Sequence, residues 1–356
     1  MMLVSRFLLP SLVILLVCGA CERGGGGHGA KGAETLAATD AATVMVRGER
    51  ILMGTSFEIQ LVTGDEDKAS QDIEAVFDDL AVLEARISEW RPDSEISLLN
   101  SEAGKRPVAV GPELHEIIRK AVAISAQTDG AFDISFASCA RYWSFRDERI
   151  PSADELSACL AAVDYRRISL VPETREVYLP ADMRIGIGGI GKGYGVDHAA
   201  RFLEARGYRT YLINGGGDIR VRGKAPEHTW HLGITDPRHP PRARGRDRAV
   251  LGRLSLQQGA LAGSGDYEQF FERDGVRYHH ILDPATGMPA RASVAVQVIA
   301  PTALEADAYA TAFFVLGPER AIEIADGLPG VDCLVMDASL DIHMTAGFRT
   351  AYHPPE

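Results

Sequence analysis

The sequence is short of basic charge, of cysteine and of long apolar runs, and each shortage removes a class of protein. Lys and Arg number 37 against 49 Asp and Glu, a net charge of -12. That leaves no basic footprint for nucleic acid. It does not exclude a phosphate-bearing ligand, because a metal ion or local groups can supply the positive charge. The main apolar run, Phe7 to Val17, is too short to span a bilayer. Beyond the N-terminal segment only Cys139, Cys159 and Cys333 remain, widely spaced and with no CxxC pair. They give no zinc-ligand spacing and no disulfide framework, and read as buried thiols. There is no internal repeat and no regular βαβ alternation.

What remains is ordinary globular composition over 356 residues, 46% hydrophobic and 24% charged. A chain this long can bury a sizeable core without staples. Arg6 precedes the Phe7–Val17 run, and Cys18-Gly19-Ala20-Cys21 follows it. A basic residue, a short apolar core and small residues before a Cys predict a lipoprotein signal peptide over residues 1–20, with Cys21 lipidated. An ordinary secretory signal cut near Ala20 is the other reading. Several acyl chains would hold such a protein firmly on a membrane. The expectation is a periplasm-facing protein, lipid-anchored to the inner or outer membrane. Residues 21–43, rich in Gly, Ala and Thr, read as a flexible tether.

Residues 44–350 read as one composite domain. Ile73, Val76, Phe77, Leu80, Leu83 and Ile87 recur at helical spacing. Further helices are expected over Leu114–Ile124, Tyr194–Ala205, Leu304–Phe314 and Glu319–Ala325. Strands are expected over Ser56–Val62, Thr210–Ile213, Trp230–Ile234, Arg253–Leu256, Ser293–Ile299, Cys333–Met336 and Asp341–Met344. His239–Asp247, rich in Arg and Pro, reads as a surface loop. Strands and helices mixed without alternation place the chain in the α+β class.

Four segments have the residue types that chemistry needs. Gly186-Ile187-Gly188-Gly189-Ile190-Gly191-Lys192-Gly193 opens a helix. Its amides suit a phosphate, or else it is a tight structural turn. It is neither a Walker loop nor a placed dinucleotide fingerprint. Asn214-Gly215-Gly216-Gly217-Asp218 marks a special turn, with a structural hairpin the simpler reading. Asp307 and Thr311 lie four apart in an apolar helix and share a face. A carboxylate there is costly unless it is paired or binds a metal, and carboxylate with hydroxyl suits Mg²⁺; local hydrogen bonding is the alternative. His280, beside the Asp283-Pro284 and Thr286-Gly287 turn, is either an acid–base group or structural.

These segments, in this order, resemble the ApbE family of FAD:protein FMN transferases. The resemblance continues in Met53-Gly54-Thr55, in Glu84–Arg91 with Asp93–Ser97 and Asn100, in Gly130–Asp133, in Trp230–Pro237 and in Ser264–Tyr267. It covers roughly residues 44–346. It implies an ApbE-like, T-fold-related mixed sheet-and-helix domain. It implies that Met53, Trp90, Ala131, Phe132, Asp133, Gly186, Lys192 and Ile281 line the FAD site. Asp307, Thr311 and the backbone oxygen of Gly189 match magnesium ligands, and His280 matches a catalytic His. The chain departs from the pattern at Gly186, where most relatives carry Asp, and at Gly263, where many carry Thr.

The implied reaction moves FMN from FAD to a Ser or Thr hydroxyl of a partner and releases AMP, with Mg²⁺ as cofactor. Acceptors of the family include subunits of sodium-pumping NADH:quinone reductase and Rnf-type complexes. Two rivals are a pyrophosphatase that gives FMN and AMP, and a non-catalytic flavin-binding lipoprotein.

Overall fold

A computed structural model describes residues 43–223, 229–238 and 250–355. The signal peptide, Cys21, nearly all of the tether and the loop 239–247 lie outside the described residues. The chain begins with β1 (Val44–Leu52), β2 (Thr55–Thr63), α1 (Glu66–Ile87), α2 (Glu95–Ser101), β3 (Val108–Ala109) and α3 (Pro112–Gln127). It continues through α4 (Ala137–Ala140), α5 (Ala153–Leu160), β4 (Ser169–Val171), β5 (Glu176–Tyr178), α6 (Gly191–Ala205), β6 (Tyr211–Gly215) and β7 (Asp218–Arg222). Then follow β8 (Trp230–Thr235), β9 (Val250–Leu256), β10 (Gln258–Gly265), β11 (Phe270–Arg273), β12 (Val276–His279) and β13 (Ser293–Ala300). It ends with α7 (Ala303–Leu316), α8 (Pro318–Asp326), β14 (Asp332–Asp337), β15 (Ile342–Met344), α9 (Ala346–Ala351) and β16 (Tyr352–His353).

The frame is an eight-stranded sheet in the order β1-β2-β6-β7-β10-β13-β14-β15. Every neighbouring pair is antiparallel. Side chains alternate faces along a strand, and the sequence uses that alternation to build two cores. Phe57, Ile59 and Leu61 of β2 and Tyr211 and Ile213 of β6 face the core shared with α1, α6 and α7. Leu212, Ile219, Val221 and Leu261 join a second core with the three-stranded sheet β16-β9-β8 and Phe348. The class is α+β, as the sequence predicts.

The expected helices and strands are present with small shifts of boundary. Several strands were not foreseen, among them β1 and β10 of the large sheet. β1 forms a hairpin with β2 through a two-residue turn, Met53-Gly54, both with positive φ (51° and 74°). Such a turn matches the twist of the flanking strands but favours Asn or Gly at its first position, so Met53 hides the signal. Arg47, Glu49 and Arg50 also break the apolar pattern, as charges on an edge strand do.

The cysteine reading needs correction. Cys139 and Cys159 form a disulfide, and only Cys333 is a buried free thiol among the described residues. α4 and α5 lie side by side and bring the two Cα atoms to 5.1 Å, within bridging range. Sequence spacing alone contains nothing about that distance. Among the described residues no helix is long and apolar enough to cross a membrane.

Candidate active site

α7 is apolar on nearly every side and buried between the sheet and its neighbouring helices, as all-round apolar helices must be. Asp307 is therefore 6% exposed, and the fold supplies its partners. α6 crosses α7 closely at Gly193, where a Cβ would lie 2.3 Å from the Ala303 carbonyl oxygen. Only glycine permits that approach. It lets the Gly193 amide donate to Asp307 Oδ2 at 3.1 Å and brings Lys192 Nζ to 3.5 Å from Oδ1.

The β6–β7 hairpin adds a second carboxylate. Gly216 and Gly217 both have positive φ (66° and 104°) and make its two-residue turn, so the hairpin reading of this segment holds. The turn places Asp218, 2% exposed, with Oδ2 at 2.6 Å from Lys192 Nζ. Burial and the Asp307 charge push the Asp218 carboxyl well above the usual range, and Lys192 pulls it back. Burial opposes the Lys192 charge, but Asp218 and Asp307 outweigh it and raise its pKa. The result is two carboxylates against one ammonium.

Gly189 completes the cluster. A Cβ there would sit 3.2 Å from Phe132 Cε2 and 3.3 Å from Thr311 Oγ1. Gly189, Thr311 and Phe132 are thus brought together, and Asp307 lies one turn from Thr311 on α7. Among the described residues no three His, Cys, Asp or Glu converge on one metal point. The available set is different: a carboxylate, a hydroxyl and the backbone near Gly189. These are hard oxygen donors of the kind Mg²⁺ takes. Asp218 and Asp307 set two carboxylates against the one ammonium of Lys192, an excess of negative charge that a divalent cation would offset.

His280 follows β12. Its Nδ1 is buried without a partner, and burial and the neighbouring His279 push its pKa down to about 4. It is a neutral imidazole at neutral pH. Ile281 beside it is 5% exposed. The turn Asp283–Gly287 is closed by Asp283, which accepts the Ala285 amide and the Thr286 hydroxyl.

Other residues singled out from the sequence occupy varied settings. Ala131 and Phe132 are buried at 8% and 5% exposure. The Asp133 carboxylate accepts from the Ser135 amide and hydroxyl and from the Tyr165 amide, so it caps local structure. Met53 packs against Gly195 of α6. Trp90 is 94% exposed and follows Glu89, whose carboxylate accepts from the glycine loop.

In the glycine loop the structural-turn reading accounts for most amides. Gly186 donates to the Ile134 carbonyl, Ile190 and Gly191 to the Ile187 carbonyl, and Gly193 to Asp307. Ile187 donates to Glu89. Sequence reasoning gave no role to Asp218, Glu89 or Asp197. Asp197 caps α7 by accepting the Ala303 and Leu304 amides at 3.0 and 2.9 Å and pairs with Arg220. A buried acid in an apolar helix segment is the one local signal for it.

Known proteins share this fold. The family model described as the ApbE family matches residues 53–335. A FAD:protein FMN transferase of Treponema pallidum is 34% identical over 294 residues, covering 77% of this chain and 79% of its own. The ApbE protein of Thermotoga maritima aligns with a TM-score of 0.78 at 29% identity, covering 87% of this chain and all of its own. The apo flavinyl transferase ApbE of Pseudomonas stutzeri aligns at 0.77 and 27% identity, covering 88% and 98%. This chain belongs to the ApbE family.

Proposed function

We propose that this protein is a FAD:protein FMN transferase, which moves FMN from FAD to a Ser or Thr hydroxyl of a target protein and releases AMP. The observation that carries the reading is the Lys192–Asp218–Asp307 cluster beside Gly189 and Thr311, in a chain of this family. Phosphoryl transfer needs positioning and charge neutralisation more than covalent help, and this cluster supplies both.

In this reading the acceptor oxygen forms a bond to the FMN phosphorus as the pyrophosphate P–O bond breaks, and AMP leaves with the electron pair. His280, neutral above its depressed pKa, takes the hydroxyl proton. Lys192 holds its charge toward the phosphates. Asp307, Thr311 and the Gly189 carbonyl would hold Mg²⁺, and the ion would supply charge neutralisation at the pyrophosphate. Met53, Trp90, Ala131, Phe132, Gly186 and Ile281 line the flavin nucleotide site, and Asp133 shapes it through the backbone it caps.

Localisation belongs to the same proposal. Lipidation of Cys21 would hold the domain at the periplasmic face, where acceptors such as subunits of a sodium-pumping NADH:quinone reductase or an Rnf-type complex would be reached. A Cys139–Cys159 disulfide suits an oxidising compartment. Cys21→Ser should leave an unlipidated precursor; a wild-type protein without lipid on Cys21 removes this part.

Incubation with FAD and Mg²⁺, with and without an acceptor subunit, separates the reactions. AMP released only with acceptor means transfer. AMP released regardless means a pyrophosphatase, and no AMP means a binder; either overturns the proposal.

A further inference from the structure

Glu89 belongs to none of the roles assigned so far. α1 ends at Ile87, and the chain turns outward to the exposed Trp90. Between them the Glu89 side chain reaches back to the glycine loop. Its Oε1 accepts the Ile187 amide at 2.5 Å, and the Gly188 amide donates to the same carboxylate. Its Oε2 occupies the space in front of Gly186: a Cβ there would lie 2.6 Å from Oε2 and 3.0 Å from Ala137 Cβ. Two successive amides aimed at one anion form a small nest, and here the anion is part of the protein.

The loop needs such a tie. Gly186, Gly188, Gly189 and Gly191 fall within six residues, and glycine loses more conformational freedom on folding than any other residue. Loop amides on the C-terminal side are held by the Ile187 carbonyl and by Asp307, and the Gly186 amide by Ile134. Ile187 and Gly188 have the Glu89 carboxylate, and charged acceptors make the stronger hydrogen bonds. Immediately after them come Gly189, which faces Thr311 and Phe132, and Lys192, which faces Asp218 and Asp307.

We propose that Glu89 is a positioning residue: its carboxylate, seated on the Ile187 and Gly188 amides in the space that the missing side chain of Gly186 leaves, fixes the loop that sets Gly189 and Lys192 in the active site. Glu89 and Gly186 then work as one unit. A side chain at 186 displaces the carboxylate, and loss of the carboxylate frees the loop. The effect of the loop on turnover rests on the transferase reading; the tie itself does not.

The test is amide hydrogen exchange in the intact protein, with FMN-transfer kinetics on the same samples. In the wild type the Ile187 and Gly188 amides exchange slowly. Glu89→Ala accelerates both about tenfold or more, and formate, a small carboxylate able to enter the vacated nest, slows them again. Glu89→Gln, which keeps one acceptor, lies between. Gly186→Ala matches Glu89→Ala, and the double variant is no worse than either single one. In transfer assays Glu89→Ala lowers kcat, and formate restores part of it. Exchange reads the tie even if the wild type transfers no FMN. Unchanged exchange at both amides in Glu89→Ala, or additive losses in the double variant, overturns the tie. Accelerated exchange with wild-type kcat and KM overturns its role in positioning. If Glu89→Ala does not fold, the same criteria apply to Glu89→Gln and Gly186→Ala.

Discussion

Lys192 Nζ lies 2.6 Å from Asp218 Oδ2, an ion pair that joins the first turn of α6 to the exit of the β6–β7 hairpin. The same ammonium stands 3.5 Å from Asp307 Oδ1 on α7. Three elements thus converge on one charge, and the active-site reading depends on that convergence.

Asp218→Asn removes the nearer partner. Lys192 then pairs with Asp307 alone and competes with a cation for it. The Mg²⁺ concentration for half-maximal AMP release should rise roughly tenfold, about 1.4 kcal/mol, while the melting temperature holds or rises because a buried carboxylate is gone. An unchanged Mg²⁺ requirement would separate Asp218 from the metal site.

Trp90 stands 94% exposed, an unusual position for a large ring unless something flat stacks on it. Base–aromatic stacking is worth about 1–3 kcal/mol in nucleic-acid sites. Trp90→Ala should weaken FAD binding accordingly, read by flavin fluorescence titration. Wild-type affinity would take Trp90 out of the site.

His280 has its pKa pushed down to about 4, against an unfolded value near 6.5. Between those values the unfolded chain binds a proton that the folded one refuses, so stability rises with pH across that window and is lost as pH falls toward 4. The full effect is at most about 3 kcal/mol. His280→Gln should show a smaller fall in melting temperature from pH 7 to pH 4.5 than the wild type. Its transfer rate should drop at neutral pH. Parallel melting profiles for the two proteins would mean that His280 is not held neutral.

The Cys139–Cys159 bridge closes a loop of 20 residues. Removing such a bridge costs about 3 kcal/mol. The bridge also steadies α4, where Ser138 Oγ accepts the Arg184 amide at 2.9 Å just ahead of the glycine loop. Reduction of the wild type, and the double change Cys139→Ser with Cys159→Ser, should lower the melting temperature equally. Unequal effects would point to damage other than loss of the bridge.

Much of this molecule was legible because local patterns encode it. The apolar spacing from Ile73 to Ile87 drew the helix that lies buried along that face. The Asp307–Thr311 spacing drew one helix face, and the structure sets Gly189 against it. Glycine runs drew both turns. What was not legible depends on chain segments far apart. Lys192 and Asp218 are joined only because a hairpin folds back beside α6. Glu89 reaches the Ile187 amide across 98 residues. Nothing around Cys139 or Cys159 announces their pairing. Met53 concealed a hairpin by taking a left-handed position that usually belongs to Asn or Gly.

The most direct measurement incubates wild-type protein and Asp307→Ala with FAD, Mg²⁺ and an acceptor subunit, and reads covalent flavin on the acceptor by intact mass together with AMP released. The account predicts one AMP per flavin attached in the wild type. In Asp307→Ala, which retains its fold, attachment should fall about a hundredfold or more, as loss of several kcal/mol of charge stabilisation implies. Free FMN without acceptor labelling in the wild type, or wild-type labelling by Asp307→Ala, would contradict it.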